Sequence, residues 1–182
     1  VIHGEILRLT HLIKELSDLS IVEDDEIKLD ADNVDLSLIL NDITDGYEPM
    51  FVEKNIKLNK NIQDNIIIVG DVDYLKRIFA NILSNAFKYT NENGTVNVSL
   101  SQIKNKIRIS VSDTGIGIPK EDLNHIFERF YRSDLSRARE TGGTGIGLTI
   151  TKALVEAHGG TIKIDSEVGK GTDVIIELNK LK

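Results

Sequence analysis

Asn81, Asn85 and Lys88 fall at i, i+4 and i+7 in the stretch LKRIFANILSNAFKYT, Leu75 to Thr90. On a helix their side chains stack in one column, with Tyr89 beside it. A carboxamide oxygen suits a hard cation such as Mg²⁺, which prefers oxygen ligands and keeps several waters. A lysine one turn away meets phosphate oxygens as a point charge. Further on, Asp113-Thr114-Gly115-Ile116-Gly117 puts a carboxylate at the end of a buried strand, ahead of glycines that let backbone approach a ligand closely. An ionised carboxylate only accepts hydrogen bonds, so an exocyclic amine such as that of adenine is a fitting donor. Gly142 to Leu148 reads GGTGIGL, glycine-rich backbone opening straight into a helix and lining an anion site with N–H groups. Its spacing matches neither GxxxxGK[ST] nor GxGxxG, which sets aside P-loop and Rossmann readings. No HRD, DFG or VAIK string occurs, which removes the ordinary protein-kinase fold. Taken singly, each feature has a plainer account: a solvated helix face, an Asp-Gly turn, a capped loop.

Elements must bring these residues together. Leu75, Ile78, Phe79, Ile82, Leu83, Ala86 and Phe87 recur at helical spacing and give the column's helix a broad apolar stripe. Asp71 is its expected N-cap. Residues 1 to 22 form an amphipathic helix with a seam of Ile2, Ile6, Leu9, Ile13 and Leu16, widened by Leu12 and Leu19. That stripe expects another helix or another chain. The acidic run Glu23 to Glu26 marks a hinge. From Ile27 a compact unit begins, with a strand-like segment ending near Val34. Asp35 caps a helix carrying Leu36, Ile39, Leu40, Ile43 and Tyr47, which Pro49 bends rather than stops. Asn55–Asn61 and Ile66–Val69 read as strands. Asn93-Gly94 is a turn signal ahead of a hairpin of Thr95–Ile103 and Lys106–Ser112. Glu121 to Tyr131 is expected to be partly helical. Gly145 to His158 is helical, with Ile146, Ile150, Ala153, Leu154 and Ala157 inward. Thr161–Ser166 and Thr172–Leu178 form a last hairpin. The chain is α+β: a two-layer sandwich of a mixed, mostly antiparallel sheet with helices on one face, preceded by the amphipathic helix. Its domains divide as 1–26 and 27–182.

Composition narrows the chemistry. The 182 residues carry a net charge of −7, which argues against broad binding of nucleic acid. With no cysteine, thiol catalysis, disulfides and thiolate metal sites are excluded. The four histidines show no paired metal spacing, and no apolar run is long enough to span a bilayer.

The order Asn81…Asn85…Lys88, DTGIGI, FERFYR at Phe127–Arg132, GGTGIGL and GKGT resembles the N, G1, F, G2 and G3 boxes of sensor histidine kinases, from about residue 30 to the C-terminus. The resemblance implies the Bergerat ATP-binding fold shared with gyrase, MutL and the large heat-shock chaperones, with ATP and Mg²⁺ as cofactors. It implies Asn85 as the Mg²⁺ ligand, with Asn81, Lys88 and Tyr89 near the phosphates and nucleotide. Asp113 would take the adenine amine, helped by Thr172 and a water. Residues 114–144 would be a mobile lid, Arg132 a candidate for the γ-phosphate, and Phe130 and Tyr131 the pair that packs the lid down. Asn81, Lys88 and Arg132 form the implied catalytic set. Gly115, Gly117 and Ile118 of one glycine string, and Gly143, Thr144, Gly145, Ile146, Gly147 and Leu148 of the other, would line the nucleotide. Residues 1–22 resemble the second helix of the dimerisation and histidine-phosphotransfer hairpin. The implied partners are a phosphoacceptor helix of the same or a partner protomer, a response-regulator receiver domain, and a second copy in a full-length homodimer. The implied location is the cytoplasmic side of a membrane-anchored bacterial sensor.

The family's phosphoacceptor box, a His-Glu pair followed within a turn by Thr-Pro, is absent: no histidine precedes an acid, and the two prolines are Pro49 and Pro119. The chain is therefore expected to begin after that box. ATP hydrolases and anti-sigma-type serine kinases of this fold carry Glu four residues before the Mg²⁺-binding Asn, where it orients and deprotonates water or a hydroxyl. Asn81 stands at that position and cannot act as a base. A neutral imidazole is itself nucleophilic and has less need of one. The hydrolase, the serine kinase and a non-catalytic nucleotide-binding scaffold are the alternatives to the histidine-kinase reading.

Overall fold

The computed structural model describes residues 27–132 and 145–180. The expected helix and hinge of 1–26, and residues 133–144 of the expected lid with Gly143 and Thr144, lie outside the described residues. Strands β1 (Asp32–Asp35), β2 (Lys57–Ile62), β3 (Ile67–Gly70), β4 (Thr95–Ile103), β5 (Lys106–Asp113), β6 (Thr161–Glu167) and β7 (Gly171–Asn179) alternate with helices α1 (Leu36–Glu53), α2 (Val72–Tyr89) and α3 (Gly147–Ala157). Five strands form the main sheet in the order β2-β4-β5-β7-β6, and β1 pairs with β3 in a small second sheet. The β2–β4 pairing is parallel and the others antiparallel. This is the expected mixed, mostly antiparallel architecture.

The three helices cover one face of the sheet. Val96, Val98 and Leu100 of β4, Ile107, Ile109 and Val111 of β5, and Ile176 and Leu178 of β7 are buried beneath them. The intervening residues, among them Asn97, Arg108 and Glu177, face away from the core, as a period of two requires. From α2, Leu75, Ile78, Phe79, Ile82, Leu83 and Ala86 sink into this layer. Phe87 is half-buried, edge-on to Phe51 at 5.4 Å and beneath the Lys54 ammonium at 4.8 Å. Pro49 sits inside α1, which continues to Glu53.

Three local expectations shift. Ile27 to Ala31 form no strand, and β1 begins only at Asp32, where β3 supplies a partner. Residues 121–131 form successive turns rather than a helix, with bonds such as His125 N–H to Asp122 O and Glu128 N–H to His125 O. Of their side chains only Ile126 is buried, so no packed face offsets the cost of helix nucleation. In α3 the buried arc runs through Ile150, Thr151, Leu154 and Val155, leaving Ala153 and Ala157 at its half-buried margins.

The helices are locked where their ends meet. One Asp71 oxygen caps α2 by accepting from the Asp73 and Tyr74 amides, and the other accepts from Asp30 N–H at 3.0 Å. The Asp71 amide donates to His158 Nε2 at 3.0 Å, while His158 Nδ1 lies 2.7 Å from Leu154 O. A carbonyl only accepts, so Nδ1 carries the proton and the ring is the neutral tautomer that joins α3 to α2. Asp71→Ala should lower the unfolding free energy by about 2 kcal/mol, the cap and the Asp30 bond contributing similar shares. Urea unfolding followed by circular dichroism measures this, with Asp71→Asn recovering part of the loss. An unchanged midpoint for Asp71→Ala would show that the junction carries no stability.

Candidate functional site

A cavity of ≈ 160 Å³ opens between α2, α3 and the end of the sheet. The α2 shoulder contributes Asn81, Asn85, Lys88 and Tyr89, because a helix that buries one stripe presents the adjoining column to the space beside it. Asp113, Gly117 and Ile118 enter from the end of β5 and the loop after it, Tyr131 and Arg132 from the following segment, Gly145, Gly147 and Leu148 from the start of α3, and Thr172 from β7. Most residues singled out from the sequence thus converge on one space.

Three do not line it. Ile146 is 2% exposed and belongs to the core. Gly115 is buried in the turn, its N–H donating to Asp113 Oδ1 at 2.7 Å, and a Cβ there would lie 2.5 Å from Tyr89 O. Phe130 is 60% exposed at φ +63° and points away, so it does not pack the segment down. Its backbone does hold that segment: Phe130 N–H donates to Gly145 O, and Thr149 Oγ1 donates to Phe127 O. Gly145 has φ +79°, and a Cβ there would lie 2.6 Å from Tyr131 O. No sequence pattern marked the apolar walls, which include Ile82, Val111, Ile116, Ile126, Ile164 and Val174, as cavity lining. Ile82, Val111 and Val174 belong to or pack on the core, and only the fold opens them to one cavity.

The cavity lining carries two kinds of chemistry. Asp113, Thr172 and Ser166 occupy one cross-strand row, because Asp113 pairs with Thr172 and Thr172 with Ser166. Burial pushes the Asp113 carboxyl up to about 6; hydrogen bonds from the Gly115 and Thr172 amides pull it down, and Asp173 nearby raises it. A carboxylate kept at this cost suits a ligand that donates hydrogen bonds.

Other parts of the lining suit anions. The first turn of α3 has no side-chain cap, leaving helix-terminal N–H groups directed outward. Lys88 and Arg132 line the same space. Asn81 Nδ2 donates to Thr151 Oγ1 at 2.8 Å and so ties α2 to α3. Gly147 permits this approach, since a Cβ there would lie 2.5 Å from Asn81 Oδ1. Thr151, four residues after Gly147 on the same helix face, had no recognisable signal in the sequence: a hydroxyl amid apolar positions reads as core. Asn85 and Lys88 have no side-chain hydrogen bond among the described residues, and no cluster of His, Cys, Asp and Glu able to hold a metal occurs there.

The family profile described as "Histidine kinase-, DNA gyrase B-, and HSP90-like ATPase" matches residues 70–182. Among curated proteins, the chain is 37% identical over 181 residues to the sensor histidine kinase WalK of Bacillus subtilis, covering 98% of this chain and 30% of that protein. The chain spans about a third of the length of the curated relatives it matches. Among solved structures, the catalytic domain of histidine kinase ThkA is similar at TM-score 0.73 and 25% identity, covering 83% of this chain and 96% of that one. Full-length ShkA in complex with AMPPNP is similar at TM-score 0.78 and 29% identity, covering 92% of this chain and 35% of that one.

The raised Asp113 pKa has a measurable consequence for stability. Its folded-state value of about 6 exceeds its ordinary 3.8, so ionisation opposes folding above that range and the penalty is absent when both states are protonated. Asp113→Asn should therefore raise stability at pH 7.5 by about 1–2 kcal/mol, with the gain shrinking toward zero as pH falls to about 4. Denaturation at both pH values decides the matter, and an equal difference at both would contradict the assignment.

Proposed function

We infer that this chain, which belongs to the histidine kinase-, DNA gyrase B- and HSP90-like ATPase family, is the Mg-ATP-binding catalytic unit of a sensor histidine kinase. The observation that carries this reading is that one cavity brings Asp113 and Thr172 together with Lys88, Arg132 and the uncapped start of α3. Adenine carries an amine for the first pair, and a triphosphate carries negative charge for the second group. The AMPPNP held by the similar ShkA supports an adenine nucleotide here.

The residues present also fit Mg²⁺. The Asn85 carboxamide faces the cavity without a side-chain hydrogen bond among the described residues. One amide oxygen with no acidic cluster suits an ion that takes most of its ligands from phosphate and water. Bound there, Mg²⁺ neutralises phosphate charge. Lys88 and Arg132 add positive charge around the same group, while Tyr131, Gly145, Gly147 and Leu148 close the space around it. Asn81, held by Thr151, fixes the spacing of α2 and α3 and offers no base.

On this reading the γ-phosphoryl passes to a histidine on a phosphoacceptor helix of the same or a partner protomer, and from there to a response-regulator aspartate. Residues 1–26 serve the dimerisation hairpin and 27–182 the catalytic domain. The whole protein is a membrane-anchored homodimer, with this chain on its cytoplasmic side. No described helix is long and apolar enough to cross one. The lack of a base at Asn81 weighs against an ATP hydrolase or a serine kinase.

The test supplies γ-labelled ATP, Mg²⁺ and a separate helical hairpin bearing a His-Glu box. The hairpin should acquire an acid-labile, base-stable label, this chain should stay unlabelled, and Asn85→Ala should reduce transfer more than tenfold. Brisk hydrolysis without an acceptor, or an acid-stable and alkali-labile label, would overturn the reading.

A further inference from the structure

Ser166 lies at the end of the row Asp113–Thr172–Ser166. It is outside the cavity lining, yet its hydroxyl is fully engaged. Ser166 Oγ accepts from Ile118 N–H at 2.9 Å, donates to Gly171 O at 2.8 Å, and lies 2.9 Å from Thr172 Oγ1. A backbone amide only donates and a carbonyl only accepts. The single Ser166 proton is therefore committed to Gly171 O, and the contact with Thr172 requires the Thr172 hydroxyl to donate to Ser166. That uses the only proton Thr172 Oγ1 has, leaving lone pairs alone to face the cavity.

The surroundings hold this arrangement. Gly169 N–H donates to Ile116 O at 2.8 Å, tying the β6–β7 turn to the loop after β5. Gly171 has φ +112°, and a Cβ there would lie 1.8 Å from Asp113 O, so the turn seats against β5 only with glycine. Beside Thr172, Asp113 Oδ1 accepts from Gly115 N–H. The two side chains at this end thus both present acceptors when Asp113 is ionised.

We propose that Ser166 is a specificity-determining positioning residue: by taking the Thr172 proton it makes the cavity end acceptor-only, selecting a base with an amine and rejecting one with a carbonyl at the same position. This rests on the reading that the cavity holds a purine nucleotide. Without Ser166, the Thr172 hydroxyl is free to turn its proton inward and donate to a carbonyl, weakening the discrimination.

The experiment measures the affinities of Mg-ATP and of Mg-inosine triphosphate, whose base carries a carbonyl at C6 in place of the amine, by calorimetry on the full chain. The unmutated protein should prefer ATP. Ser166→Ala should reduce the ATP-to-inosine-triphosphate preference by about three- to tenfold, the scale of one neutral hydrogen bond. Ser166→Thr, which keeps the hydroxyl, should retain it. In a Thr172→Val background, Ser166→Ala should leave the preference unaltered, since the double-mutant cycle isolates action through Thr172. If Ser166→Ala weakens both nucleotides in parallel and the ratio stays fixed, Ser166 only supports the turn and the proposal falls, while the ATP reading stands. If the unmutated chain binds neither nucleotide, the ATP reading falls and takes the proposal with it.

Discussion

The register of β5 against β7 and β6 is the constraint on which the site depends. Two apolar rows, Ile109–Ile176–Ile162 and Val111–Val174–Ile164, run across these strands beneath the helices. The next row on the same face is Asp113–Thr172–Ser166. The core therefore passes without a break into the polar end of the cavity. A slip of one residue in β5 would turn Asp113 to the solvent face and carry Val111 out of the core. Burial of the apolar rows is thus what holds the polar row in place.

The helices complete the rest of the lining by similar logic. The stripe of α2 fixes its rotation, and that rotation sends the Asn81–Asn85–Lys88 column to the cavity edge. Asn81 to Thr151 near the start of α3, and Asp71 to His158 at its end, keep the helices together along their lengths. The anion-facing start of α3 is held by core packing through Ile146, Ile150 and Leu154, as well as by its own glycines. A site assembled before its ligand arrives requires little reorganisation when charge enters it.

What could be read from the sequence divides along locality. The α2 stripe and column, both hairpins and the Asp71 cap are patterns within a few residues, where helical and strand periods act directly. The Asp113 string was legible for the same reason. Thr151 acts through a bond to a residue 70 positions away and Ser166 is held by one 48 positions away, and a hydroxyl has no periodic signature. The expectation of partial helix over 121–131 failed because a local stretch does not report whether a packing partner exists. Ile146 carried two expectations, an inward position by helical spacing and a ligand contact by its glycine string, and the fold makes it a core residue. Phe130 likewise carries an aromatic ring that faces outward because its backbone is committed to Gly145.

The most direct measurement of the central claim is an amide NMR titration with two ligands, AMP and Mg-AMPPNP. One nucleotide spanning the cavity predicts that both move Gly115, Gly117 and Thr172 at the sheet end. Only Mg-AMPPNP should also move the Asn85 side-chain amide and the Gly147 and Leu148 amides at the start of α3. Outer-face residues such as Asn97, Arg108 and Glu177 should remain unchanged. Identical shifts from the two ligands, or saturable shifts confined to the outer face, would contradict the account.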